Sequence, residues 1–280
     1  MSEAYNPHQS PSTSYFDLLV SIVNNRMLIK NMVRRDILAQ YKGSIFGFFW
    51  AFFNPIFLLI VYTFVFSVVF QARWGGDGEA DKGQFALVLF VGLMVHGFFS
   101  EILNKSPYII TGNKNYVKKV VFPLDCLPVI VSLSALFNLS VNFLVMIVAY
   151  IIMNGSVHSE IIYFPLIVAP LFMLAMGISW FLASLGAYLR DISQFIGLIT
   201  TVLLFLSPVF YPLSSLPEFF QKIVILNPLT LIIEQSRQVI IWGTAPNWKS
   251  MGTYYLVAIA VNYVGYYWFQ KTRRGFADVI

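Results

Sequence analysis

Charged and polar side chains are rare in this chain, so their positions limit the chemistry it can do. Arg34, Arg35, Asp36, Tyr41 and Lys42 cluster just ahead of a long apolar run. Guanidinium, ammonium and phenol groups so grouped suit a phosphate or pyrophosphate, because charge-assisted hydrogen bonds to such anions are short and strong. Plain anchoring at the membrane boundary is the competing use of the same cations. Glu101 and Lys105 stand four residues apart, so a helix places them on one face as a pair. That pair either lines a pathway or sits at the membrane interface. A third group runs Asn113, Lys114, Asn115, Tyr116, Val117, Lys118, Lys119, then Phe122-Pro123-Leu124-Asp125. A short basic piece between apolar runs suits docking of a soluble partner, although a simple connector has the same length.

Aromatic rings form the other conspicuous set. One apolar run carries Phe46, Phe48, Phe49, Trp50, Phe52, Phe53 and Phe57. Another ends in Phe205, Phe210 and Tyr211. Rings offer a π face over which sugar C–H groups can slide, and they also serve as ordinary lipid-facing anchors. Enzyme chemistry has little to stand on. The sequence has no Gly-x-x-x-x-Gly-Lys-Ser/Thr phosphate loop. His8, His96 and His158 lack zinc spacing. Asp36, Asp125, Asp191 and Glu234 are scattered, which counts against a membrane-bound sugar transferase. The lone Cys126 excludes an intrachain disulfide.

The elements that position these groups follow from composition. The chain has 280 residues, 58% hydrophobic and 11% charged, against about 25% charged in a soluble domain. A bilayer crossing needs roughly 20 mostly apolar residues. Spans are expected near 44–70, 84–110, 127–153, 161–189, 193–211 and 251–269, an all-α membrane protein of six spans. Residues 1–14 read as a loose cytoplasmic tail. Residues 15–43 read as an amphipathic interfacial helix and hinge, with the apolar face in lipid and Arg26, Lys30, Arg34 and Arg35 toward headgroups and water. The transmembrane domain then occupies 44–280.

With the N-terminus inside, the inner segments collect Arg26, Lys30, Arg34, Arg35, Lys42, Lys105, Lys114, Lys118, Lys119, Arg190, Lys271, Arg273 and Arg274. The outer ones keep only Arg73, Lys82, Lys222, Arg237 and Lys249. The positive-inside rule therefore puts both termini in the cytoplasm. The net charge of +5 faces anionic lipid and needs no nucleic acid. Asp191 or Ser193 is expected to cap the fifth helix. Between Pro212 and residue 243 the pattern breaks. Pro217 opens one short helix, Asn227-Pro228 ends it, and a second stretch carries Glu234 and Arg237. Two short helices dipping into the outer leaflet fit better than a span.

In this order and spacing the residues resemble a known family. Arg35-Asp36-Ile37, Gln40-Tyr41-Lys42-Gly43-Ser44, Gly47, Trp50 and Pro55 are similar to the start of ABC-2 type polysaccharide export permeases. The likeness continues through Lys118-Lys119, Phe122-Pro123-Leu124, Tyr188-Leu189-Arg190-Asp191, Ser207-Pro208-Val209-Phe210-Tyr211-Pro212, Asn227-Pro228-Leu229 and Gly275-Phe276-Ala277. It covers nearly everything after about residue 15 and is strongest toward O-antigen exporters, with capsule and teichoic acid exporters as near relatives. The resemblance implies a homodimeric channel in the bacterial inner membrane and two copies of a separate ATPase that holds the ATP and Mg. The cargo it implies is an undecaprenyl-pyrophosphate-linked polysaccharide. It implies lipid-pyrophosphate binding at Arg34, Arg35, Tyr41 and Lys42, and a glycan conduit along Phe49, Trp50, Phe53, Phe57, Phe205, Phe210 and Tyr211. ATPase coupling would use Asn115, Tyr116, Lys118 and Lys119, and an extracytoplasmic gate would form around Pro228, Glu234 and Arg237. No cofactor or metal is expected on the chain itself.

Overall fold

A computed structural model describes residues 14–69, 74, 82–118, 122–189 and 191–279, and all regular structure among them is helical. The expected N-terminal helix is two: α1 (Tyr15–Asn24) and α2 (Arg26–Gln40). The break falls at Asn25, whose backbone (φ −96°, ψ 13°) leaves the helical region and whose side-chain amide joins its own N–H in donating to the Ser21 carbonyl, at 2.8 and 3.0 Å. The apolar face is divided rather than given wholly to lipid. Leu18, Ile29 and Met32 are buried in a core with Ile110, Cys126 and Leu127, whereas Val23 and Met27 stay exposed. Two bonds seat α1 on the protein: Ser21 Oγ to Asp125 Oδ2 at 2.8 Å, and Tyr15 Oη to Asn262 Oδ1 at 3.0 Å.

The hinge after α2 turns on Gly43 (φ +86°) and Gly47 (φ +51°), left-handed conformations that other residues adopt only with strain. A 3₁₀ turn at Gly47–Phe49 leads into α3 (Trp50–Tyr62), which widens to a π-helix over Thr63–Val69. α4 (Lys82–Lys105) is the central helix, buried along most of its length from Phe85 to Leu103. It stops two residues before Pro107, which disfavours helix at the residue it follows. Short helices α5 (Tyr108–Thr111) and α6 (Lys114–Val117) precede the long α7 (Cys126–Asn154). Gly155, at φ +80°, closes α7 in the left-handed conformation.

A 3₁₀ turn at Ser159–Tyr163 opens α8 (Phe164–Tyr188). Next come α9 (Ile192–Leu206), α10 (Glu218–Ile225), α11 (Pro228–Ile240), α12 (Trp248–Thr272) and α13 (Phe276–Val279). Asp191 does occupy the N-cap position of α9, but its side chain makes no capping bond. α8 and α12 meet backbone to backbone. A Cβ on Gly177 would fall 2.5 Å from the Cα of Asn262, and one on Gly265 would run into the Gly177 carbonyl. Small residues permit such approach where helices pack within a membrane.

Among the described residues four helical stretches are long and apolar enough to cross a bilayer: Gly47–Phe66, Gln84–Lys105, Cys126–Asn154 and Ser159–Tyr188. α9 is apolar but has only 15 residues. It ends before Tyr211, where its span was expected to finish, because Pro208 pushes Ser207 into extended backbone (φ −90°, ψ 151°). α12 has the length, 25 residues, but is diluted by tyrosines, Asn262 and Gln270.

Candidate functional site

α2 and the N-terminal half of α7 line two spaces, the second of them together with α3 and α4. The first is a groove of 760 Å³ walled by Ile29, Val33, Ile37, Leu136 and Phe137. Arg26, Lys30 and Arg34 line its edge. These three cations recur every fourth residue on α2, so they form one stripe. All three are exposed, and none has an ion pair among the described residues. The second is a cavity of 470 Å³ bounded by Gln40, Tyr41, Trp50, Asn54, Glu101 and Asn142, with Lys105 and Asn138 in its wall.

The Glu101–Lys105 pair expected from sequence forms at 2.9 Å and does more than join one helix face. Lys105 Nζ lies 3.9 Å from Asp36 Oδ2 on α2. Asn138 on α7 donates to both Glu101 oxygens, at 2.8 and 3.1 Å, and to Gln40 Oε1 at 3.4 Å. α4, α7 and the end of α2 are thereby tied together around the cavity. Tyr41 is half-buried against Phe48. Burial, and then the negative charge of Glu101, raise its phenol above the ordinary range, so it remains a neutral hydrogen-bond donor. Lys42 is exposed and without an ion pair among the described residues. Arg35 is turned elsewhere. Its Nη1 donates to Tyr116 Oη at 2.8 Å, and its guanidinium carbon lies 5.8 Å from the ring centroid. Of the expected anion-binding set Arg34, Arg35, Tyr41 and Lys42, Arg34 lines the groove and Tyr41 the cavity, while Arg35 reaches toward α6.

Tyr116 in turn stacks on Phe122 with centroids 4.4 Å apart. Asn115 and Lys118 are exposed beside it, and Lys119 lies outside the described residues. The aromatic sets also come together. Phe49, at the end of the 3₁₀ turn, and Phe53 and Phe57 on α3 form an exposed ladder with centroid steps of 6.2 and 5.9 Å, and Trp50 packs edge-on to Phe53 at 5.1 Å. Phe66 bridges to Phe210 at 6.5 Å, and Phe210 stacks on Phe205 at 5.7 Å. Tyr211 donates to the Phe205 carbonyl at 2.9 Å. The end of the first apolar stretch and the end of α9 therefore share one ring cluster.

Asp36, Asp125, Asp191 and Glu234 do not converge. Asp125 is buried and held by Ser21 and by Arg273 at 3.6 Å. Among the described residues no three His, Cys, Asp or Glu side chains come close enough to hold a metal ion.

The sequence profile described as ABC-2 type transporter matches residues 27–241. The chain belongs to the ABC-2 type transporter family. Curated relatives of this ABC-2 protein include the O-antigen export system permease protein RfbA of Klebsiella pneumoniae, 26% identical over 95% of both chains. RfbA of Myxococcus xanthus is 24% identical over 94% of this chain and 99% of its own. The polysialic acid transport protein KpsM of Escherichia coli is 21% identical over 86% and 91%.

In this ABC-2 chain the segment after α9 is fastened by one side chain. Arg237 is 1% exposed. Its Nη1 donates to the Pro208 carbonyl at 2.6 Å and to Glu234 at 2.9 Å, its Nη2 to Val209 at 3.0 Å, and its Nε to Val88 on α4 at 3.1 Å. The guanidinium also lies 4.3 Å from the Trp74 ring centroid. Breaking α9 at Pro208 strands two carbonyls, and a planar fork of donors is the side chain suited to collect them. Pro228 takes the first position of α11, behind Asn227. The Asn227 side chain accepts from Leu229 N at 2.9 Å and donates to Ser207 Oγ at 2.9 Å.

Asn54, Asn138 and Asn142 escape a sequence reading organised around charge. An amide pair at i, i+4 within an apolar run was the available signal, since polar residues at membrane depth are costly and commonly functional. Asp125 and Ser21, far apart in sequence, left no such mark.

Proposed function

We propose that this chain is the membrane-spanning subunit of an ATP-driven exporter that moves a lipid-linked polysaccharide of the O-antigen kind outward across a bacterial inner membrane. The observation that carries the reading is the groove beneath α2: apolar walls and a stripe of unpaired cations are complementary to a lipid tail with a phosphate head. The names and full-length coverage of the RfbA relatives favour O-antigen-like cargo over the capsule type suggested by the weaker KpsM likeness.

In this reading the chain spans the membrane six times with both termini inside. α9 with its extended tail forms the fifth crossing and α12 the sixth. α10 and α11 dip into the outer leaflet as an extracytoplasmic gate around Pro228, Glu234 and Arg237. Two copies form the channel. The chain carries no phosphate loop, so energy comes from two copies of a separate ATP-binding subunit docked on residues 113–122. The undecaprenyl pyrophosphate binds at Arg34, Arg35, Tyr41 and Lys42. ATP binding on the partner moves α6, and through Arg35 that motion reaches α2. The glycan then passes over the rings of α3 and the end of α9. A hydrated polymer cannot cross hydrocarbon unaided, and a protein-walled passage lowers that barrier.

Replacing Arg34 and Lys42 together by Ala tests the reading. Both are exposed, so the chain should insert normally while surface glycan falls at least tenfold. Undiminished surface glycan would remove the headgroup assignment.

A further inference from the structure

We infer that the cavity between the end of α2, α3, α4 and α7 is a saccharide subsite that takes a hydroxyl-rich sugar ring of the cargo next to its lipid linkage. The inference rests on the export reading above. Its volume of 470 Å³ falls within the roughly 300–1,000 Å³ of small-molecule sites. Its lining is unlike that of its apolar neighbour. The amides of Gln40, Asn54 and Asn142 offer both donors and acceptors, the Glu101 carboxylate accepts, and the Tyr41 phenol donates. Sugar hydroxyls require that mixture. Trp50 adds a π face for the C–H side of a ring, and its contacts with Phe46 (5.8 Å) and Phe53 (5.1 Å) fix its orientation.

A second, independent observation points to a polar occupant. Asn54 and Asn142 make no hydrogen bond among the described residues. Asn54 is exposed and Asn142 half-buried, so both amides stay open to bond a polar occupant of the cavity. Asn138, one turn before Asn142 on the same face of α7, is already committed to Glu101 and Gln40. Lys105 neutralises Glu101 at 2.9 Å, so the carboxylate is held in place and does not repel a neighbouring phosphate. Leu38 of α2 lines the groove, and Gln40, two residues on, lines the cavity. An amphiphile with its chain in the groove therefore brings its first sugars to these amides.

The test uses the full chain in lipid nanodiscs. The probe is an oligosaccharide released by mild acid from the source cell's own surface glycan. Calorimetry should show binding to the parent chain, weakened at least tenfold in the Asn54→Leu, Asn142→Leu variant. In a Cys126→Ser background, Asn142→Cys should react with a charged, membrane-impermeant thiol reagent, and the oligosaccharide should slow that reaction. Equal binding by the double variant overturns the proposal. So does an Asn142→Cys thiol that the reagent cannot reach or the oligosaccharide fails to protect. Surface glycan that persists when the chain is deleted overturns the export reading instead, and the binding measurement remains separately readable.

Discussion

Arg35 on α2 donates to the hydroxyl of Tyr116 on α6 at 2.8 Å, joining a residue expected at the cargo headgroup to one expected at the motor. The bond lies at the protein surface, so it contributes at most about 1 kcal/mol to folding. Its value as a linkage is greater, because Tyr116 is fixed by stacking on Phe122 and α2 continues into the hinge at Gly43. Arg35→Ala and Tyr116→Phe should each lower ATP-driven export about three- to tenfold with unchanged thermal stability. The double variant should be no worse than either single one, as expected for partners in one contact. Additive losses in a double-mutant cycle would show that the two residues act separately.

Arg237 should be among the least replaceable residues for stability. Ala leaves the Pro208, Val209 and Val88 carbonyls without their donor and Glu234 without its partner. Removing one member of a buried ionic network costs about 3–5 kcal/mol. Lys supplies charge but not the planar fork, so Arg237→Lys should recover less than half of the loss. Thermal unfolding in detergent, followed by tryptophan fluorescence, measures both.

Gly177→Ala and Gly265→Ala should each destabilise the pairing of α8 with α12. The added methyl meets backbone in both cases, which a rotamer change cannot relieve, and overpacking of this kind costs about 1–3 kcal/mol. Gly252→Ala on the same helix α12 has open space and should be neutral or slightly stabilising. Comparing the three melting temperatures separates packing from helix propensity.

Tyr41 should give no pH step in export across about pH 6 to 9. Burial and Glu101 raise its phenol from an unperturbed value of about 10. A raised acid is protonated throughout that window, so any stability it contributes is constant there and falls only as pH climbs past 10. Tyr41→Phe should therefore lower export without changing the shape of its pH profile, measured in vesicles at fixed ATP.

The helices were largely legible because hydrocarbon demands long apolar runs and Pro or Gly marks their ends. Asn227-Pro228 separates α10 from α11 where it was expected to, and α7 ends within a residue of the expected 153, whereas α4 stops at Lys105, ahead of Pro107 and short of the expected 110. The break at Asn25 was not legible, since it is a local departure of one residue's backbone within a run of otherwise helical spacing. The early end of α9 was marked by Pro208, but the apolar residues beyond it disguised the stop. At the candidate site, the Glu101–Lys105 pair could be read from spacing alone. Its ties to Asp36 and Asn138 could not, because they join α2 and α7 across long separations. The clamp at Arg237 was hidden for the same reason: its acceptors are backbone carbonyls, which leave no residue-type signature.

The central claim is that this chain forms the passage and another subunit supplies the energy. The most direct measurement is transport in proteoliposomes holding this chain, an ATP-binding subunit encoded in the same genome and a fluorescent lipid-linked oligosaccharide. ATP hydrolysis should move the labelled glycan to the opposite side only when both proteins are present. Glycan movement by this chain alone, or none when both are present and ATP is being hydrolysed, would contradict it.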